Sequence, residues 1–343
     1  MNLAFEIVER AIQLGPIPGA AAAIGDTAGF EQACFGRLEP EGAEVTPETW
    51  YDLASLTKVL CTIPLCLDLI VAGRLDPQAK VRELLPEVAW LQDRPNLGDA
   101  TVLQLATHTS GLPAWEPLYT LGLDRATLLA RVLYTPLQRP PGTIVYSDLG
   151  IIVLGHILER LSGCRLEELA GGLFARIGLQ RELAFAVPEG VRVAPTERCP
   201  WRQRLLRGEV HDENASALGG VAPHAGLFGT LNGVAAYAHA LLTGRLHSPP
   251  VLEYASREHA RAEPPDVERR GFGWVLMHRG WSGGDLISAR SLGHTGFTGT
   301  GLWIDLERQR YSVLLTNRVY PSRHVESGIV GLRRAFNFAA HGL

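Results

Sequence analysis

The chain has almost no lysine. Of its 32 basic side chains in 343 residues only Lys58 and Lys80 are lysines, so arginine supplies nearly every positive charge. Its five cysteines, Cys34, Cys61, Cys66, Cys164 and Cys199, are odd in number and never spaced Cys-x-x-Cys. That pattern offers neither a disulfide framework nor a thiolate metal site, and reads as small buried thiols in a reducing compartment. No apolar run approaches the roughly 20 residues of a transmembrane segment. Met1-Asn2-Leu3 leads straight into an amphipathic pattern, without the basic segment and apolar run of a signal peptide, and the expectation is a cytoplasmic protein. A net charge of −4, with no basic cluster interleaved with aromatics, makes no case for a nucleic-acid partner. There is no Gly-x-Ser-x-Gly elbow, no Walker loop, no His-Glu-x-x-His and no internal repeat. The 11 histidines are scattered, and no cofactor or metal is expected.

Against that background one of the two lysines stands out. In Tyr51-Asp52-Leu53-Ala54-Ser55-Leu56-Thr57-Lys58-Val59-Leu60, Lys58 follows Ser55 by three residues, so a helix starting at about Ser55 puts both side chains on one face. With 13 serines and two lysines, the number of Ser-x-x-Lys coincidences expected by chance is roughly 0.08. A serine nucleophile beside a lysine base has this spacing, provided burial beside cationic or apolar groups lowers the lysine pKa from about 10.4. Arginine stays charged and cannot serve. The plainer alternative is a helix cap at Ser55 with a solvated lysine in the first turn.

Periodicity divides the chain. A helix from Leu3 ends at Gly15-Pro16, and strands follow at 19–24 and 30–36. A short extended piece at 50–53 delivers Ser55 to a strand-to-helix corner, where free backbone N–H groups gather. Helices are expected at 59–72, interrupted by Pro64, and at 102–107, 125–134, 149–161, 166–177 and 231–242. Strands return at 271–277, 291–294, 301–305 and 311–317, and a helix at 325–340 closes the chain. The arginine-rich stretch 196–213 fits no element. The implied fold class is α+β, with residues 1–58 and 250–343 forming one antiparallel sheet flanked by terminal helices. Residues 59–249 form a mostly helical second lobe, with Ser55 in the cleft between.

Two further stretches follow Ser55/Lys58 in order: Tyr146-Ser147-Asp148, and His294-Thr295-Gly296 within Gly293-His294-Thr295-Gly296-Phe297-Thr298-Gly299-Thr300. With Leu105-Ala106-Thr107-His108-Thr109-Ser110-Gly111-Leu112-Pro113, they resemble the serine β-lactamase and penicillin-recognising family, in its class C-like branch. That branch also holds D-alanyl-D-alanine carboxypeptidases and esterases, and the resemblance runs from about Pro18 to the C-terminal helix. It implies the β-lactamase/transpeptidase-like fold and an acyl-enzyme on Ser55. Lys58 and Tyr146 are then the proton-transfer groups, and the backbone N–H groups of Ser55 and Phe297 form the oxyanion hole. Asp148, His294, Thr295 and Gly296 would contact a small-molecule or peptide-like substrate.

One position departs from the family pattern and another varies within it. His294 stands where lysine is common, although histidine is also found there, notably in some carboxypeptidases; a neutral imidazole cannot hold a substrate carboxylate as a fixed cation does. Asp148 stands where the class C motif usually has asparagine, and an ionised aspartate only accepts hydrogen bonds. Ser147-Asp148 also suits the N-cap of the following helix. A phenol beside a cation should have its pKa lowered, which favours Tyr146 as a proton shuttle. A further segment, Val210-His211-Asp212-Glu213-Asn214-Ala215 with His224, either lines the cleft or pins a long loop. His211 and Asp212 with His224 would also make a metal pair, against which a buried histidine network is the better reading. The functional expectation is a serine hydrolase acting on an ester, amide or β-lactam. The rivals are an esterase with little β-lactam activity and a catalytically silent ligand-binding protein.

Overall fold

The computed structural model describes residues 2–90, 96–263 and 268–342. Helix α1 (Leu3–Leu14) is capped by the Asn2 side chain and leads into strand β1 (Gly19–Asp26), which turns back as β2 (Phe30–Gly36). A two-residue strand, β3 (Tyr51–Asp52), then delivers the chain to the corner at Ser55. Beyond it a π-helical turn, Lys58–Thr62, runs into α2 (Ile63–Val71). The pattern predicts a regular helix broken at Pro64; the wide π turn relieves that break. Proline has no N–H and its ring crowds the carbonyl four residues back, so one looser turn ahead of it removes the clash.

The middle of the chain is mostly helical. Helices Arg125–Leu133 and Leu166–Arg176 pack around α3 (Asp148–Ser162), whose residues Leu149–Gly155 are all buried. The unassigned stretch contains a small hairpin, Arg198–Cys199 with Arg204–Leu205, and then the short helix α4 (Glu213–Ala217), N-capped by Asp212. Strand β4 (Phe228–Gly229) pairs with β3 and so ties the corner to this region. Helix α5 (Leu231–Leu242) lies within the span 59–249, yet it packs on the sheet, against β1 and the last strand.

Strands β5 (Ala260–Arg261), β6 (Arg269–Arg270), β7 (Val275–Leu276), β8 (Ser291–Thr295), β9 (Gly301–Asp305) and β10 (Arg310–Thr316) complete one eight-stranded antiparallel sheet. Its order is β2-β1-β10-β9-β8-β7-β6-β5, so strands from both chain ends meet at β1 and β10, with Ala22 opposite Leu314. The fold is thus α+β, as the pattern predicts. Helix α6 (Ile329–His341) starts four residues later than expected, because Gly328 before it holds a left-handed φ of 65°.

Alternation on β1 explains its composition. Ala20, Ala22 and Ile24 join Phe5, Val8, Trp303 and Phe336 in the layer under α1 and α6. Ala21 and Ala23 face the opposite way, into the larger core shared with α5 and the helical region. A strand covered on both faces has no polar side, and alanine lets helices approach it closely. Among the described residues, no helix is long and apolar enough to cross a membrane.

Candidate active site

The corner carrying Ser55 is held by side-chain hydrogen bonds from three directions. The buried Asp52 carboxylate accepts from the Ala54 N–H at 2.8 Å and from the His211 N–H at 2.6 Å. Ala54, immediately before Ser55, has a φ of 46°, a conformation disfavoured for a residue with a Cβ. From the β8–β9 turn, Thr298 donates to the Asp52 carbonyl at 2.7 Å and Thr300 to the Leu53 carbonyl at 3.0 Å. Thr57 donates to the Ala54 carbonyl and accepts from the Leu227 N–H. Gly296 is required by this closeness: a Cβ there would lie 2.5 Å from the Leu53 carbonyl oxygen.

Lys58, wholly buried, points back at Ser55. Its Nζ donates to Ser55 Oγ at 2.9 Å and to the His224 carbonyl at 2.9 Å, and lies 2.8 Å from the Asp148 carboxylate. The first two contacts are hydrogen bonds and the third is an ion pair. Burial alone would lower the lysine pKa, but the charge of Asp148 and the adjoining Tyr146 outweigh it and raise the value above the ordinary one. This corrects the expectation from sequence: Lys58 rests as a cation held by Asp148. Tyr146 is corrected in the same way. Burial raises its phenol, and this exceeds the lowering by Lys58, whose Nζ sits 5.0 Å from the ring centroid. Ser147 takes the N-cap of α3, accepting from the Gly150 N–H at 3.2 Å, which leaves Asp148 for Lys58.

Other polar groups surround Tyr146. His108 lies 4.5 Å and His294 6.0 Å from it, centroid to centroid, and the Arg270 guanidinium carbon stands 5.4 Å over the ring. Burial, together with Lys58 and Arg270, pushes both imidazoles well below the ordinary value, so they are neutral at physiological pH. Burial likewise pushes Arg270 down to about 10 and Arg333 to about 9. Arg333, on α6, donates to the carbonyls of Gly296 and Thr300 at 2.8 Å each, and so fixes the turn facing Ser55.

Ser55, Tyr146, Asp148, His294, Thr295, Gly296 and Phe297 all line one cleft of about 850 Å³. Lys58 lies beneath it, bonded to Ser55. Arg270, Arg318, Arg323 and Arg333 line the same cleft and were not anticipated, since they sit on segments with no local motif. The segment around Asp212 does both things expected of it. Asp212 lines the cleft and accepts from His224 Nε2 at 3.0 Å, while His211 bonds Glu197 at 3.0 Å and stacks on Phe297 at 5.6 Å. Both imidazoles are thereby engaged by carboxylates in a buried network.

Comparison with known proteins bears on the family and the fold. The family model described as Beta-lactamase matches residues 6–333. A protein of Escherichia coli strain K12, provisionally named a D-alanyl-D-alanine carboxypeptidase, is 29% identical over 315 residues, covering 82% of this chain and 72% of its own length. Among solved structures, EstCE1, a hydrolase with promiscuous acyltransferase activity, aligns with a TM-score of 0.81 at 20% identity, over 99% of this chain and 97% of that one. A class C beta-lactamase from Rhodobacter sphaeroides aligns at 0.76, also with 20% identity, over 99% and 98%.

Proposed function

The chain belongs to the beta-lactamase family of serine hydrolases, and from that premise we propose that Ser55 attacks an ester or amide carbonyl and carries the acyl group. The observation behind this reading is the buried Lys58 ammonium, 2.9 Å from Ser55 Oγ and 2.8 Å from the Asp148 carboxylate. For Lys58 to act as the base it must first give up a proton, for which Asp148 is the nearest acceptor, before it accepts one from Ser55. Tyr146, kept as a neutral phenol, is suited to protonate the departing oxygen or nitrogen, and Lys58 then refills it. The proton lost by Ser55 so leaves with the product alcohol or amine, and water releases the acyl group. The N–H groups of Ser55 and Phe297 hold the oxyanion, a contact typically worth a factor of about 100–1000 in rate.

Esters are the favoured substrates within this class. Asp148 is committed to Lys58 and offers no donor to a β-lactam side-chain carbonyl, and His294 is neutral where a fixed cation would grip a carboxylate. A second reading, a peptidase for D-amino-acid peptides, is favoured by the E. coli relative's name and by Arg318 and Arg333 in the same cleft. The test is steady-state turnover of p-nitrophenyl acetate, a chromogenic cephalosporin and D-alanyl-D-alanine by the wild type and Ser55→Ala. Ester turnover that vanishes in Ser55→Ala and exceeds cephalosporin turnover is expected. Ester turnover that survives in Ser55→Ala would overturn the nucleophile, and no reaction with any of the three would favour a silent binding protein.

A further inference from the structure

Four of the seven tryptophans, Trp50, Trp274, Trp281 and Trp303, are buried as tryptophan usually is. Two of the remaining three stand exposed beside the cleft. Trp115, 44% exposed, lines the cleft with Ser55; Tyr119 lies 6.2 Å from it, and Trp201, 60% exposed, sits edge-on to Tyr119 at 5.2 Å. Leu121 and Leu123, also exposed, extend the same loop. Phe297, 49% exposed, also lines the cleft, packed by His211 and the Arg318 guanidinium.

The rings are presented by anchored backbone. The buried Asn214 accepts from the Tyr119 N–H at 3.1 Å and donates to the Glu116 carbonyl at 2.8 Å, which fixes the Trp115 loop on α4. Arg202, next to Trp201, donates to the carbonyls of Val210 at 2.6 Å and His211 at 3.1 Å and pairs with Glu209. Two independent sets of hydrogen bonds therefore hold the backbone that carries Trp115, Tyr119 and Trp201, with Trp115 lining the cleft and the other two rings following from it in contact. A contiguous apolar surface held in water at the edge of a cleft marks a binding surface, and its continuity with the lining of that cleft points to the substrate.

We propose that Trp115, Tyr119 and Trp201 form an apolar subsite for a long, uncharged acyl chain of the substrate, so that the enzyme prefers medium-chain acyl esters to acetyl esters. The proposal rests on Ser55 as the site of acyl transfer. It also gives Asn214 a positioning role, since its buried side chain fixes the loop through Tyr119 and Glu116.

The experiment compares kcat/KM for p-nitrophenyl acetate, butanoate, hexanoate and octanoate in the wild type, Trp115→Ala and Trp201→Ala. A fully buried methylene is worth about fourfold, so a chain lying against one wall should gain roughly twofold per methylene. The expected result is a rise from acetate to octanoate in the wild type and a fall of the octanoate-to-acetate ratio by about tenfold in Trp115→Ala, with a smaller fall in Trp201→Ala. A flat series in the wild type, or equal losses on every ester in the variants, would overturn the subsite. A second measurement does not require turnover: calorimetric binding of N-methyloctanamide and N-methylacetamide to Ser55→Ala. At least tenfold tighter binding of the octanamide, lost when Trp115→Ala is added, supports the subsite even if no ester is hydrolysed. Equal or absent binding of the two amides overturns it, whatever Ser55 does.

Discussion

Replacing Asp148 by asparagine tests the resting charge of the site. Lys58 is 1% exposed and Asp148 17% in their side chains, and only 2.8 Å separates them. The asparagine keeps the shape and removes the charge, so the ammonium loses the group that outweighs its burial. Breaking a buried pair costs 3–5 kcal/mol, and the partial exposure of Asp148 places this case near the lower end, about 3 kcal/mol. The pH dependence follows from the direction of the shift. In the wild type the folded-state Lys58 pKa is raised, so its contribution to stability is complete below the unfolded value of about 10.4 and is lost as pH rises through the folded value. In Asp148→Asn burial acts without that opposing charge, the folded pKa falls, and the penalty grows as pH drops. Urea unfolding of both proteins should give the largest gap near pH 7 and a smaller one near pH 10. The acidic limb of kcat/KM should move to lower pH in the variant, because a lysine with a lowered pKa becomes the neutral base at lower pH. A gap under about 1 kcal/mol, or one that does not narrow with pH, would refute the reasoning.

Four further outcomes are expected. Lys58→Arg should reduce ester turnover by about 100–10,000-fold while the far-UV circular dichroism stays native, since arginine cannot give up its proton; full activity would remove Lys58 from proton transfer. Asp148→Asn should raise penicillin acylation relative to ester turnover by supplying an amide donor, and an unchanged ratio would mean that Asp148 acts through Lys58 alone. Gly296→Ala should lose about 1–3 kcal/mol in urea unfolding, because a Cβ collides with Thr300 and the Leu53 carbonyl; wild-type stability would contradict the close approach at that corner. Glu197 provides an acid-stability handle. Burial would raise its carboxyl, but hydrogen bonds from His211 and Arg323 prevail and lower it from 4.5 to about 2, so its contribution is complete above the ordinary value and is lost as pH falls towards 2. Glu197→Gln should flatten that part of the stability curve, and an unaltered acid transition would show that another group controls it.

What was legible in the sequence was local. Ser55 and Lys58 lie on adjoining turns of one helical segment, and Tyr146 and His294 sit in short motifs whose order implies a common cleft. Strand β1 could be read from its alanines and β10 from Tyr311, Val313, Leu314 and Leu315, because a strand buried on both faces is apolar on both. What escaped was tertiary. Asp148 is 90 residues from Lys58, so no spacing predicts that it reverses the pKa shift expected from burial. Arg270 and Arg333 come from strand β6 and the last helix, and only the folded sheet brings them to Tyr146 and Gly296. The π turn at Lys58–Thr62 depends on how Pro64 is accommodated. Helix α5 reads like its neighbours in the helical stretch, and only its contacts reveal that it packs on the sheet.

The central claim is a covalent acyl group on Ser55, and intact-mass analysis during turnover tests it most directly. Wild type and Ser55→Ala would each be mixed with p-nitrophenyl acetate, quenched in acid within the first turnovers, weighed and digested. One acetyl increment on the wild type is expected, mapped to the peptide containing Ser55 and absent from Ser55→Ala. Acetyl on another residue, or an equal increment on Ser55→Ala, would contradict that claim.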